Sequence, residues 1–429
     1  MKQLLSKLQA RGCVHDASHF DELAKLLDTE HVPFYCGFDP TSDSLHVGSM
    51  LPLILMRRLQ QAGHRPLVLL GSATGMIGDP SGKSEERVLL DEQRVMENLE
   101  GISKQVALFL SKEGPNPYRI VRNDSWLKHL NYIEFLRDIG KHFTINSMIA
   151  KDSVRSRLEN REQGISYTEF SYMLLQAFDY WWLHQHEGCR LQVGGSDQWG
   201  NITAGLELIR RKATTGGAPA YGLTFPLLTT SSGAKFGKTE KGAVWLDAAR
   251  TSPYHFYQYW LNTADADVIR YAMLFTDIDG EELAALEHAV SQAPAERAAQ
   301  RYLAAQLTEL VHGAEQTKLA ISASRVLFGE KLDSLSKEVL LDIFKEVPSV
   351  SMTRADVGDG ILLTDLLVTA GVAPSKGAAR RLVEGGGVYL NNERSNDLQE
   401  RVTVDRFVDG AVLVIRSGKK NYFLIELSA

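Results

Sequence analysis

A strand, a helix and a second strand follow one another within roughly 40 residues near the start of this chain. Residues 33–37 (PFYCG) read as a short buried strand, residues 50–62 carry a helical pattern, and residues 67–70 (LVLL) form the next buried strand. Pro52 falls in the first turn of the helix, where a missing N–H costs little, and Gly63 suits its end. A βαβ unit of this kind requires parallel strands, and a parallel sheet is covered by helices. Residues 167–187 read as a long apolar-periodic helix, with further strand candidates at 190–194 and 223–228.

The remaining length exceeds what one such sheet needs. A chain of 429 residues accommodates about two to four domains. Residues 253–328 are helical text rich in Ala, Glu, Gln and Leu, 329–360 read as a linker, and 361–429 read as a small α+β module. The expected organisation is a catalytic α/β domain over 1–228 with an inserted segment at about 125–165, a lysine-bearing loop at 229–247, a helical domain at 248–328, the linker, and the C-terminal module. The first 22 residues are polar and lack the apolar core of a signal peptide, and no apolar run reaches the ~18 residues of a membrane span, so a cytoplasmic protein with no membrane partner is expected. Three cysteines, Cys13, Cys36 and Cys189, read as reduced thiols. A net charge of −6 means that any nucleic-acid binding relies on local basic patches.

Two distant segments look built to grip phosphates. His46 and Gly48 stand where a loop enters the helix at Met50. A helix N-terminus offers free N–H groups and partial positive charge, and Thr41 and His46 can donate to phosphate oxygens. Taken alone, His before Gly at a helix start is an ordinary cap. Lys235 and Lys238 flank Gly237 in a glycine-bounded loop that could close over a triphosphate, or could be a solvated surface loop. A third patch, 71–83, is not a P-loop: Gly78 to Gly82 is one residue short and Pro80 interrupts it. It reads as a strand-to-loop crossing at a sheet's carboxyl edge, with Lys83 and Arg87 facing the same anion. On the helix at 167–187, Tyr172, Gln176 and Asp179 share a face at i, i+4, i+7 among apolar neighbours, which describes a lined cavity or an exposed polar stripe.

The ordered series YCGFDPT (35–41), HVGS (46–49), GDPSGK (78–83), FSY (170–172), GSDQWGN (195–201) and KFGKT (235–239) resembles bacterial tyrosyl-tRNA synthetases of class I. The resemblance runs from about Phe34 to the C-terminus and implies a doubly wound parallel-sheet (Rossmann-like) catalytic domain, an α-helical domain and a small α+β S-four-like RNA-binding domain. It implies ATP as substrate with Mg²⁺ and no tightly bound protein metal. Thr41, His46, Gly48, Lys83, Arg87, Lys235, Lys238 and Thr239 would handle the leaving phosphates. Cys36, Gly37, Asp39, Gly195 and Asp197 would contact the adenosine half. Tyr35 and Asp179 would bind the phenol hydroxyl of tyrosine, Asp79, Tyr172 and Gln176 its ammonium group, and Gln198 would lie near its carboxylate. Ser49 departs from the family, which more often has His or Asn there.

The same resemblance implies tRNA(Tyr) as partner, and a homodimer built by the inserted segment. RNA contacts are expected at Lys376, Arg380 and Arg381 on one short helix and at Arg416, Lys419 and Lys420, with Arg210–Lys212 and Lys151, Arg155 and Arg157 as weaker candidates. From Pro374 onward nine Lys/Arg face seven Asp/Glu, so binding there would depend on clustering rather than bulk charge. His184, His186 and Cys189 are ligand types at a fraying helix end and are not read as a metal site. The alternatives are a tryptophanyl-tRNA synthetase, which the Tyr35/Asp179 pair suits less well, and a non-catalytic RNA-binding paralogue.

Overall fold

The computed structural model describes residues 3–81, 90–159, 164–213, 217–233, 236–239, 242–327, 335–345, 347–418 and 421–428, with backbone alone at 152–153, 156–157 and 238–239. The chain divides into two units, residues 1–250 with 263–299, and residues 251–262 with 300–429. The segment expected as one helical domain, 248–328, is therefore shared between them.

The first unit is built on six strands, β1 (Asp16–Ala17), β2 (Pro33–Phe38), β3 (Arg65–Leu70), β4 (Arg119–Arg122), β5 (Leu191–Gly195) and β6 (Tyr221–Phe225). Their order is β1-β6-β5-β2-β3-β4, and every neighbouring pair is parallel except β1 with β6. The chain winds outward from β2 through β3 to β4, then crosses back to β5 and winds the other way. The winding reverses between β2 and β5, and a crevice opens outside the carboxyl ends of those strands. β5 and β6 are buried throughout, as strands covered on both faces must be.

The helices α1 (Met50–Gln61), α2 (Glu92–Val106), α3 (Tyr167–Glu187), α4 (Trp199–Lys212) and α5 (Asp265–Phe275) belong to this unit. The Ser166 hydroxyl accepts from the Glu169 N–H at 3.3 Å to start α3, and Gly188 stops it in the left-handed region at φ +63°. At Gly205 a Cβ would stand 2.9 Å from the Tyr180 ring, so glycine is what lets α4 lie close against α3. Tyr35, Leu67, Met173, Phe178, Tyr180 and Leu208 join one core beneath the crevice. Arg58 and Arg11 donate to the Thr276 carbonyl, at 2.6 and 2.7 Å, and set two cations at the carboxyl end of α5. Cys13, Cys36 and Cys189 are all buried free thiols.

In the second unit, β7 (Ser349–Thr353), β8 (Val388–Leu390), β9 (Glu393–Ser395), β10 (Val412–Ser417) and β11 (Asn421–Ser428) form a sheet in the order β9-β8-β10-β11-β7. Helices α6 (Leu363–Thr369) and α7 (Lys376–Glu384) cover one face through Leu363, Leu366, Leu367, Ala379 and Val383. Tyr254, Leu340 and Phe344 cover the other, against Val412, Val414 and Leu424. The stretch expected as a linker thus contributes a helix, Lys337–Ile343, and the strand β7, which pairs parallel with β11. Its apolar residues have a sheet face to cover, and a local reading of composition does not show that.

Candidate active site

The crevice at the winding reversal is a cleft of about 600 Å³. Tyr35, Cys36, Gly37, Asp39, Thr41, His46, Gly48, Asp79, Tyr172, Gln176, Asp179, Gly195, Asp197 and Gln198 all line it. Each of these was expected at the site, and residues as far apart in sequence as Tyr35 and Gln198 meet here. Lys83, Arg87 and Lys235 lie outside the described residues, and for Lys238 and Thr239 only the backbone is described, paired with Ala243 and Gly242.

At its deep end, Asp179 on α3 is 1 % exposed. It accepts from Asn123 Nδ2 at 3.0 Å and from Trp126 Nε1 at 2.6 Å. Burial pushes its carboxyl up to about 7; those two bonds pull the other way, and the Asp39 carboxylate adds to the rise. Tyr35 on β2 is equally buried, and its hydroxyl makes no hydrogen bond among the described residues. Burial, then the charge of Asp179, drive that phenol well above its ordinary range, so it stays protonated. A carboxylate and a phenol hydroxyl thus share a dry end of the cleft, where a ligand hydroxyl can both donate and accept.

One turn and two turns along α3 stand Gln176 and Tyr172. The Tyr172 hydroxyl donates to Asp39 Oδ2 at 2.8 Å, and Thr74 Oγ1 donates to Asp39 Oδ1 at 2.9 Å. The resemblance assigns Tyr172 and Asp39 to different halves of the ligand, and the structure joins them directly. Gln198 Nε2 donates to Asp79 Oδ2 at 2.7 Å, and Gln176 Nε2 donates to Gln198 Oε1 at 3.2 Å. Asn201 closes this network by donating to Gln176 Oε1 at 3.0 Å. Cys36 also faces the cleft, and burial raises its thiol to about 12, so it contributes no thiolate at neutral pH.

At the mouth, His46 Nδ1 accepts from the Gly48 N–H at 3.0 Å and caps the turn that leads into α1. Gly237 of the lysine loop, at φ +77°, lies so close that a Cβ there would stand 2.9 Å from Val47 and 3.3 Å from the Gly48 nitrogen. The lysine loop and the His46 turn therefore form one wall. Phe236 fixes the loop's approach by stacking on Phe275 at 5.6 Å and meeting Tyr271 edge-on at 5.1 Å, both on α5.

Sequence reasoning missed the residues that hold this site in place. Asn123 and Trp126 follow the carboxyl end of β4 and reach the site only through the sheet's winding. Gln192, 2 % exposed and paired with Tyr35 across β2 and β5, also lines the cleft, and its Oε1 has no hydrogen-bond partner among the described residues. On α2, Asn98 Nδ2 donates to the Pro40 carbonyl, and Gln105 both accepts from the Leu45 N–H and donates to Ser44, each at 2.7–2.8 Å. Asn98, Gly101 and Gln105 stand at i, i+3, i+7 and share one helical face, as the i, i+4, i+7 set on α3 does, so helical periodicity applied to α2 would have grouped them.

The expected RNA-contact residues lie on the second unit. Lys376, Arg380 and Arg381 are exposed on α7, which buries Ala379 and Val383. Lys376 pairs with Asp365 at 2.8 Å, and Arg380 with Glu384 at 3.4 Å. The Arg416 guanidinium lies 3.8 Å over the Tyr389 ring, and Lys419 and Lys420 are outside the described residues. Among the weaker candidates, Arg210 and Arg211 are paired with Glu207, Lys212 sits 4.7 Å from the Trp181 ring, and Lys151 donates to Thr203. Arg155 is exposed, and the side chain of Arg157 is among those not described. His184 bonds the Ala218 carbonyl, His186 bonds the Trp182 carbonyl and Cys189 bonds the Leu191 carbonyl, so the three do not converge.

The family of class I tRNA synthetases that comprises the tryptophan and tyrosine enzymes matches residues 27–329. The chain belongs to the class I tRNA synthetases. A second match, to the C-terminal domain of tyrosine–tRNA ligases, covers residues 340–425 of the synthetase. The tyrosine–tRNA ligase of Roseiflexus castenholzii is 51 % identical over 429 residues, covering all of both chains. That of Geobacillus stearothermophilus is 51 % identical over 424 residues, 99 % of each. A C-terminally truncated mitochondrial tyrosyl-tRNA synthetase of Aspergillus nidulans superposes with a TM-score of 0.68 at 32 % identity, covering 76 % of this synthetase and 95 % of that chain.

Proposed function

We propose that this enzyme is a tyrosine–tRNA ligase that activates tyrosine with ATP and transfers it to tRNA(Tyr). The single observation that carries the amino-acid choice is the buried pair at the end of the cleft: the Asp179 carboxylate beside the Tyr35 hydroxyl, which has no hydrogen-bond partner among the described residues. A phenol satisfies both groups. A phenylalanine ring would leave a buried acceptor unpaired, and an indole presents its N–H from a wider ring.

In the first step the tyrosine carboxylate attacks the α-phosphorus of ATP. A P–O bond forms, the bond from that phosphorus to the bridging oxygen breaks, and pyrophosphate leaves with the electron pair. The attacking group is already a nucleophile, so the protein's part is to position the reactants and stabilise charge. Asp179 and Tyr35 fix the ring, Asp79, Tyr172 and Gln176 receive the ammonium group, and Gln198 lies beside the carboxylate. Cys36, Gly37, Asp39, Gly195 and Asp197 flank the adenosine. Thr41, His46 and the backbone at Gly48 receive the phosphates, together with Lys83, Arg87, Lys235, Lys238 and Thr239. Mg²⁺ would accompany ATP rather than sit in a protein cage, and would supply positive charge against the triphosphate. In the second step the terminal ribose hydroxyl of the tRNA attacks the adenylate carbonyl, and AMP leaves.

The exposed face of α7 with Arg416 would contact RNA. A homodimer would form through the inserted segment, where Tyr132, Ile133, Leu136, Ile145, Ile149 and Leu158 are exposed large apolar side chains. Among the described residues no helix is long and apolar enough to cross a membrane; a cytoplasmic location fits the tRNA substrate. ATP–pyrophosphate exchange tests the reading. Exchange that depends on tyrosine is expected. Exchange with tryptophan instead, or with neither amino acid, would overturn it.

A further inference from the structure

We propose that Arg250 is a positioning residue for amino-acid activation: it pins the exit of the lysine loop to the loop that carries Thr41 and His46. The proposal deepens the tyrosine-activation reading and rests on it.

The segment that leaves the lysine loop, residues 243–250, runs along residues 42–47 as a strap. The Val47 N–H donates to the Val244 carbonyl at 2.9 Å, and the Leu246 N–H to the Leu45 carbonyl at 2.9 Å. The Val244 N–H reaches back to the Gly237 carbonyl at 3.1 Å, so the strap is tied directly to the loop. Trp245, which lines the cleft, meets the His46 ring edge-on at 6.1 Å. Arg250 closes the strap. Its guanidinium lies 3.4 Å over the Trp245 ring, and its Nη1 donates to Ser42 Oγ and to Asp43 Oδ1, each at 2.6 Å. One planar cation thus bridges the residue next to Thr41 and the ring beside His46.

The geometry argues for placement rather than stability. The Arg250 side chain is 34 % exposed and that of Asp43 is 50 % exposed, so solvent screens the ion pair and its net attraction is small. What the contact fixes is the register between two segments that must meet the same phosphates. The other end of the loop has its own anchor, Ser231, whose N–H and Oγ both donate to Asp267 Oδ2 at 2.9 Å. Loss of Arg250 removes the side-chain tie at one end only and leaves the backbone bonds of Val47 and Leu246 to hold the strap less rigidly. The strap contacts described above fall on residues 42–47, on Gly237 and within the strap itself, and Tyr35, Asp179, Gln176 and Asp79 are not among them.

The test uses the full-length enzyme and separates the steps. In Arg250→Ala, single-turnover formation of tyrosyl-adenylate is expected to slow about 10- to 100-fold, the scale of a misplaced reacting group. Tyrosine affinity and the transfer from preformed adenylate to tRNA are expected to change less than about twofold, since neither uses the phosphate wall. Arg250→Lys should recover little, because an ammonium cannot lie flat on the ring and bridge two oxygens. Asp43→Asn should slow the same step by a smaller factor. An adenylate rate within twofold of wild type in Arg250→Ala would overturn the proposal alone. So would equal losses in both steps and in tyrosine affinity, or failure of Arg250→Ala to fold, each of which marks a structural residue. Absence of tyrosine-dependent activity in the wild-type enzyme would overturn the parent reading, and this proposal with it.

Discussion

Asp179 concentrates the chemistry of the site in one side chain. Its carboxyl is held near 7 by burial, while an unfolded chain releases that proton near the ordinary carboxylate value of ~4. The folded state therefore binds the proton more tightly. The stability this gives is present below about pH 4 and is lost as pH rises to about 7. Urea unfolding across that range should show wild-type stability falling relative to Asp179→Asn as pH rises; a constant difference would contradict the assignment. The same variant should lower the preference for tyrosine over phenylalanine about 10- to 100-fold in relative kcat/KM, the usual cost of an unpaired buried polar group. Competitive exchange assays measure this, and unchanged discrimination would remove Asp179 from the phenol site. Tyr172, Gln176 and Asp179 were legible because helical spacing groups them. Asn123 and Trp126, which hold Asp179, were not, since no local period links residues 123 and 126 to 179.

At the scale of elements, α2 determines where the loop proposed to receive the phosphates lies. Gly101 sits at its middle, and a Cβ there would stand 1.9 Å from the Asp43 carbonyl oxygen. That neighbour is backbone, and Asn98 and Gln105 tie the same loop from either side, so the contact cannot relax by turning a side chain. Gly101→Ala should destabilise the protein by about 1–3 kcal/mol, as overpacking does, and slow adenylate formation more than it weakens tyrosine binding. Thermal unfolding and stopped-flow activation check the two halves of that prediction. A wild-type melting temperature would show that the loop has room to move. The strand–helix–strand at residues 33–70 was legible from its alternation of apolar runs and turn residues. The role of β7 was not, because a five-residue strand gains its identity from the partner it pairs with.

For the whole molecule, the proposed partners, a second copy and tRNA, fall to the inserted segment and the second unit. Ile133 is 68 % exposed, in a cluster of apolar side chains on 132–158. Ile133→Asp should shift a dimer toward monomer at micromolar concentration in light scattering, since a buried unpaired charge is costly at an apolar interface. A monomeric wild-type enzyme would refute the dimer. Replacing Lys376, Arg380 and Arg381 together by Ala should weaken tRNA charging and flatten its dependence on salt, because fewer phosphate contacts release fewer counterions. Tyrosine-dependent exchange should be unaffected in that variant, and a loss there would point to damage beyond RNA binding.

What the chain determines by itself is the inventory: a parallel α/β unit, a polar face on α3, two segments proposed to hold phosphates and a late basic helix. These follow from local rules, because spacing along a helix or strand fixes which side chains share a face. Only the tertiary structure decides the rest. The winding reversal between β2 and β5 brings Tyr35 to Asp179, and the packing of α2 and the 243–250 strap sets the phosphate loop against the lysine loop. Those contacts join residues tens to hundreds of positions apart, and their geometry comes from how the sheet twists and the helices pack, which no local pattern encodes.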